Sequence, residues 1–321
     1  MQTDTVARPT GPDISRDSRK AQKKRSKLIR SNRTSASIAL VFLCLLVLIA
    51  IFAPLVATHD YAKQDYSHIL AGPSSSHFLG TDDFGRDVFS RLVYGARLSL
   101  GSSVIAVSVG LIIGLPIGLA SGYIGRWFDV VAMRVVDTFM AFPSIILAIA
   151  VTAILGTGVV TAMIAVGVVL IPSFARLIRG QVLSVRSRLY VDAARTFGGR
   201  SWWIIMRHIF PNSVQPVVIL AAHLLGVAIL IEASLSFLGL GAPPPQPGWG
   251  AMLREAARSA DGLTVQVIAP GAAIALTLLA LNLLGDRIRD MFDPRIGRNQ
   301  SRRSRRRAAA RRAEPTSEQI A

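Results

Sequence analysis

Five stretches of this sequence run for about 20 residues or more without Asp, Glu, Lys or Arg, and such stretches leave a chain few places to fold except across a lipid bilayer. They are Ala36–Ala57, Leu98–Ser121, Thr138–Ala175, His208–Ile231 and Gly262–Gly285. The third holds 38 residues. As one helix it would reach nearly ~57 Å, about twice the apolar thickness, so it must fold back. Gly156-Thr157-Gly158, two glycines around a β-branched residue, is the expected turn. The expectation is an all-α polytopic membrane protein with six transmembrane helices, the third beginning near Val130. Only 17% of residues are charged, against about 25% in soluble domains.

The net charge of +17 is unevenly placed. With the N-terminus inside, the inner segments hold 29 Lys and Arg and the outer loops 5, which predicts that both termini are cytoplasmic. The organisation follows: a basic cytoplasmic tail at 1–35, a first transmembrane helix at 36–57, an extracytoplasmic loop at 58–96, a five-helix core at 97–296, and an Arg-rich cytoplasmic tail at 297–321 that is expected to be disordered. An anionic inner leaflet beside the tails suits lipid headgroups better than nucleic acid as their counterpart. The single cysteine, Cys44, allows no intrachain disulfide.

No catalytic constellation is present. The lysines stand only at 20, 23, 24, 27 and 63, none preceded by the glycines of a phosphate-binding loop, so the chain is not expected to hydrolyse ATP. His59, His68 and His77 recur every nine residues, a spacing that fits neither a helix face nor the short intervals of known His sites. No metal is expected there.

Three features invite structural readings. Ser102, Ala106, Gly110, Gly114, Gly118 and Gly122 place a small residue at every fourth position of the second helix, a stripe for close helix packing. Pro116, Pro143 and Pro172 interrupt apolar helices and predict kinks. Glu232, near a helix end, is expected to be solvated or paired with an Arg such as Arg97, and Arg134 and Asp137 to pair with each other. Trp249, after a Pro-rich segment, suits the membrane interface, with a short helix from Ala251 lying on the membrane.

The loop at 190–211 is the most informative cytoplasmic segment. Asp192, Ala193, Ala194, Arg195 and Gly198 suit a short helix ending in a tight turn, a compact knob outside the bilayer, although an amphipathic surface loop kept inside by its arginines reads the same residues as well. The segment, closed by His208-Ile209-Phe210-Pro211, resembles the EAA loop with which importer permeases dock onto their ATPase subunits. Asp192 stands where that family usually has Glu, Phe210 replaces the usual Leu, and His208 stands where the general motif has Ile. Three further segments narrow the resemblance to the C-type permease of dipeptide and oligopeptide importers: His77 to Asp87 with Tyr94-Gly95-Ala96-Arg97, Glu232 to Gly241, and Leu281 to Asp286 through Asp293-Pro294-Arg295.

The resemblance implies a non-catalytic subunit of the bacterial cytoplasmic membrane, with no cofactor of its own. ATP and Mg would be bound by two cytosolic ATPase subunits, to which this chain would couple through Asp192, Ala193, Ala194, Arg195, Gly198 and Pro211. A second homologous permease would complete the pathway and an extracytoplasmic lipid-anchored binding protein would deliver substrate. The stripe at Gly110, Gly114, Gly118 and Gly122 would pack helices, within this subunit or against the partner. The same branch carries nickel, glutathione or haem as well as peptides, and no substrate-binding residue is identified. A stand-alone channel or secondary carrier is the rival class, expected to show ionisable residues along a membrane path.

Overall fold

A computed structural model describes residues 35–258 and 265–292; the two basic tails fall outside them, apart from Ser35. The described residues are helical, with no strand beyond a single bridge between Thr81 and Asp87. The elements are α1 (Ser35–Ile51), α2 (Ala53–Val56), α3 (Val88–Ile124), α4 (Arg126–Ala141), α5 (Ser144–Leu155), α6 (Val159–Arg186), α7 (Leu189–Thr196), α8 (Ser201–Ile204), α9 (Phe210–Phe237), α10 (Trp249–Arg258) and α11 (Val265–Phe292). Four helical segments among them are long and apolar enough to cross a membrane: α3, α6, α8 through α9, and α11.

The two remaining expected spans take other forms. α1 is a shorter apolar helix, continued by α2 after a break at Phe52 that precedes Pro54. The third expected helix is a pair, α4 and α5, bent by 100°. Pro143 does more than kink it. Proline disfavours the α region for the residue before it, and Phe142 accordingly sits at φ −84°, ψ 136°, which ends α4. By contrast Pro116 and Pro172 lie inside unbroken helices. The turn at Gly156-Thr157-Gly158 falls between α5 and α6, with φ of +90° and +147° at its two glycines, a backbone that side chains resist.

The small-residue stripe of α3 lies against α6 of the same chain. A Cβ at Gly114 would stand 2.8 Å from the Ile171 carbonyl and from Phe174 Cβ, and one at Gly118 would stand 2.6 Å from the Ala175 carbonyl. Gly110 and Gly122 face Leu170 and Val182 in the same way. With no side chains between them, the two backbones approach closely over the length of the seam, gaining dispersion contacts where lipid supplies no hydrophobic drive. Phe174, Ile178 and Val182 of α6 are fully buried there, and α9 closes this core with Leu224, Ala228 and Leu235.

A second core lies towards the start of α3, where Leu43 of α1, Val88 of α3, Ile229 of α9, Trp249 of α10 and Ile274 of α11 meet. Trp249 is 1% exposed, its Nε1 donating to the Leu92 carbonyl at 3.1 Å. Its ring packs into the protein and not into lipid, and α10 likewise buries Ala251, Met252 and Ala256. Glu232 is also buried, accepting a hydrogen bond from Ser236 Oγ at 2.8 Å, so neither headgroup solvation nor pairing with Arg97 describes it. One turn of helix brings Ser236 onto its face, which Arg97 does not reach.

Candidate coupling loop

α6 carries the chain out of the apolar core and ends at Arg186, whose Nη1 donates to the carbonyls of Gly122 and Tyr123, both at 3.0 Å. Two more arginines fasten α6 to α4. Arg179 grips Asp129 through two bonds of 2.5 and 2.7 Å, and Arg176 reaches Asp137 at 2.6 Å. Two-pronged guanidinium–carboxylate contact fixes angle as well as distance. Asp137 thus pairs across helices, and not with Arg134 as the local spacing suggested. Ser121 Oγ also donates to Asp129, so α3, α4 and α6 are joined at this end.

On this base stands a short helical knob. α7 buries Val191 completely and turns Asp192, Ala193 and Arg195 outward, with Ala194 half-buried. Its end is closed by Phe197 N to Ala193 O at 3.0 Å, Gly198 N to Arg195 O at 2.9 Å and Gly199 N to Ala194 O at 3.0 Å. This return of the chain requires Gly198 at φ +77°. No atom lies within 4 Å of where its Cβ would be, so the glycine is there for backbone conformation and not for space. Arg195 lies 5.3 Å from the Tyr123 ring centroid and its Nη1 is 3.6 Å from Asp192. The knob is thereby tied to the end of α3 as well as to α6.

α8 and a single π-helical turn, Ile205–Ile209, lead into α9. Ile204 and Ile209 are fully buried and anchor this return. π turns recur at functional sites, and this one swings His208 between Trp203, at 4.9 Å between centroids, and Tyr190, at 6.2 Å. Pro211 stands in the first turn of α9, where its missing N–H costs no helical bond.

Sequence reading missed the exterior of this knob. Leu189 is 88% exposed, Phe197 90%, Trp202 69% and Trp203 51%. A cluster of large apolar side chains left in solvent marks a docking surface. The signal was present in Trp202-Trp203, a pair of aromatics in a polar loop. The residues expected to couple, Asp192, Ala193, Ala194, Arg195, Gly198 and Pro211, all lie in this one knob or at its exit, while Gly110, Gly114, Gly118 and Gly122 belong to the seam beneath it.

The opposite end of α3 is arranged differently. Arg86 donates to Asp82 at 2.7 Å and to Glu255 of α10 at 2.8 Å, and Arg91 donates to Glu255 at 2.8 Å. Both guanidiniums are buried, and Asp82 and Glu255 balance them charge for charge. In the preceding loop, hydrogen bonds from the Ser67 hydroxyl, His68 and the Ser67 N–H lower the Asp65 pKa from 3.8 to about 2.

The chain matches the family model of the binding-protein-dependent transport system inner membrane component over residues 114–298, and that of the N-terminal TM domain of oligopeptide transport permease C over residues 30–73. It is 47% identical over 250 residues to a dipeptide transport system permease protein, DppC, of Alkalihalophilus pseudofirmus, covering 78% of this chain and 82% of that protein. A glutathione transport system permease protein, GsiD, of Pectobacterium atrosepticum is 46% identical over 256 residues, covering 79% and 85%. Among solved structures, a chain of the inward-facing MetNI methionine ABC transporter superposes with a TM-score of 0.54 at 20% identity, covering 64% of this chain and 98% of that one.

Proposed function

The chain belongs to the binding-protein-dependent transport system inner membrane component family, and from that premise we propose that it is one of two permease subunits in an ATP-driven importer of short peptides, glutathione included in that class. It is an inner-membrane permease. The observation that carries the coupling role is the knob at 189–203: its apolar exterior is exposed while its inner residues, Val191 and Ile204, are fully buried in the core of α3, α6 and α9.

In this reading the cytosolic ATPases receive Leu189, Phe197 and Trp202 in a groove, with Asp192 and Arg195 as the polar contacts. ATP-driven closure then moves the knob as a rigid body. Because Arg186, Arg179 and Arg176 join α6 to α3 and α4, a displacement of the knob reaches the bent α4–α5 pair without being absorbed in a flexible joint. A second permease subunit and an outer binding protein complete the assembly.

At the other end a cavity of about 390 Å³ is lined by Tyr61, Tyr94, Arg97, Ser102 and Gln246 among others. Arg97 has no acidic partner among the described residues. A free guanidinium beside phenol and amide groups suits a peptide carboxylate and backbone, and supports peptides over a bare cation as cargo.

The test is Gly198→Val. A β-branched residue at φ +77° should distort the knob while leaving the spans intact, so labelled dipeptide or glutathione uptake should fall to background with unchanged membrane levels of the protein. Uptake at the unmodified rate would remove the coupling role. Solute flux through the chain reconstituted alone, without ATPase subunits, would instead favour a self-contained channel or carrier.

A further inference from the structure

The nine-residue interval between histidines argues against a metal site only if the ligands share one local element, and here they do not. His59 follows α2, His77 lies in the long loop, and Asp87 caps the N-terminus of α3. The fold brings all three together, with one candidate ligand atom from each lying within 4.8 Å of the others. His77 Nδ1 is 3.0 Å from Asp87 Oδ1 and His59 Nδ1 is 3.9 Å from Asp87 Oδ2. The two imidazoles are stacked, 4.7 Å between centroids.

We propose that His59, His77 and Asp87 bind a divalent transition-metal ion of the zinc type, which clasps the segment after α2 to the start of α3. In a tetrahedral zinc site with bonds of about 2.0–2.1 Å, ligand atoms lie roughly 3.3 Å apart, so closing separations of up to 4.8 Å takes side-chain shifts of about 1.5 Å or less. Two imidazoles and one carboxylate are the donor types such an ion takes, with the fourth position left to water. The donors are already oriented. Asp87 Oδ2 accepts from Ser90 N at 2.8 Å and from Thr58 Oγ1 at 3.3 Å, while Oδ1 is bonded to His77 Nδ1 and His59 Nδ1 to Thr58 Oγ1, two contacts that the ion would replace. The His59 N–H donates to Ser90 Oγ at 3.0 Å and the His77 N–H to Ser74 Oγ at 3.1 Å, which fixes both backbones. Outer bonds of this kind hold a ligand set in place before the ion arrives.

Access is on the His59 side, where the side chain is 38% exposed against 14% for His77 and 1% for Asp87. His68 supplies an internal control. Its ring is 6.3 Å from His77, but it stands outside the three-residue cluster, its Nδ1 bonded to Asp65 at 2.9 Å, a carboxylate that is not part of the set.

The experiment uses the full chain, purified in detergent and stripped of metal, titrated with Zn²⁺ and separately with Co²⁺ and Mg²⁺. One Zn²⁺ per chain is expected, with visible absorption of low-symmetry Co²⁺ and no Mg²⁺ uptake. His59→Gln and His77→Gln should each weaken Zn²⁺ binding by about 100-fold, and His68→Gln should leave it unchanged. Saturating Zn²⁺ should raise the unfolding midpoint of the unmodified chain and of His68→Gln only. Should His77→Gln prove unstable, the more exposed His59→Gln carries the test alone. Less than stoichiometric Zn²⁺ uptake by the unmodified chain, or binding that survives in His59→Gln, would overturn the proposal.

Discussion

At the knob between α6 and α9, Leu189 and Phe197 are 88% and 90% exposed, whereas at the far end of α3 the charged Arg86 and Arg91 are 2% and 1% exposed. One end leaves apolar groups in water and the other takes ions out of it. Each inverts what a self-sufficient surface would do, and for opposite reasons. The ions at the far end find partners within the chain, Asp82 and Glu255, so that end is closed. The apolar groups at the knob have no counterpart among the described residues, and under the proposed coupling role the other half of the contact belongs to an ATPase subunit. Solvent exposure of Leu or Phe forgoes about 1.5–3 kcal/mol per side chain, which docking recovers.

The comparison breaks most clearly at Glu255. Glu255→Gln leaves two buried guanidiniums facing only Asp82, and loss of one partner from a buried ion cluster costs about 3–5 kcal/mol. Thermal unfolding in detergent should show the drop; a change below about 1 kcal/mol, the worth of an exposed pair, would mean the cluster is hydrated.

Phe197→Ser combined with Leu189→Ser should do the reverse. Fold stability should move by less than about 0.5 kcal/mol, because both side chains are already in water. Affinity for the ATPase subunits should fall by at least ~2 kcal/mol, roughly 30-fold, read by co-purification or titration. Unaltered affinity would show that the exposed cluster faces something else.

Gly198→Val falls between the two. The left-handed turn costs a β-branched residue about 1–2 kcal/mol, a modest stability loss against a complete loss of uptake.

The smallest effect is at Asp65. A carboxyl held at about 2 when folded and at 3.8 otherwise adds stability that is fully present above the higher value and is lost as pH falls towards the lower. The protection of the Ser67 amide, its exchange rate taken relative to the free-peptide rate at each pH, should therefore fall between about pH 4 and 2, and Asp65→Asn should flatten that dependence.

Much of this was legible beforehand because membranes impose simple arithmetic. Charge-free windows located the long helices, two glycines located the turn before α6, and the motif residues from Asp192 to Pro211 located the knob. Pro143 shows where local reading ends. That a proline interrupts a helix is local, but whether the chain continues after a kink or turns through 100° depends on what packs on either side. Asp137 makes the same point: three residues from Arg134 it invites a local pair, and Arg176, 39 positions away, takes it instead.

The sequence by itself determined that this chain crosses a membrane, where four of its long apolar helices run and which loop resembles the EAA motif, because hydropathy, helix-breaking residues and short motifs are properties of neighbours along the chain. Tertiary structure alone decided which charges pair, that the glycine stripe faces α6 of its own chain, that Trp249 is buried, and that His59 and His77 meet at Asp87. Those are contacts between residues far apart in sequence, and no periodicity records a distance that only packing creates.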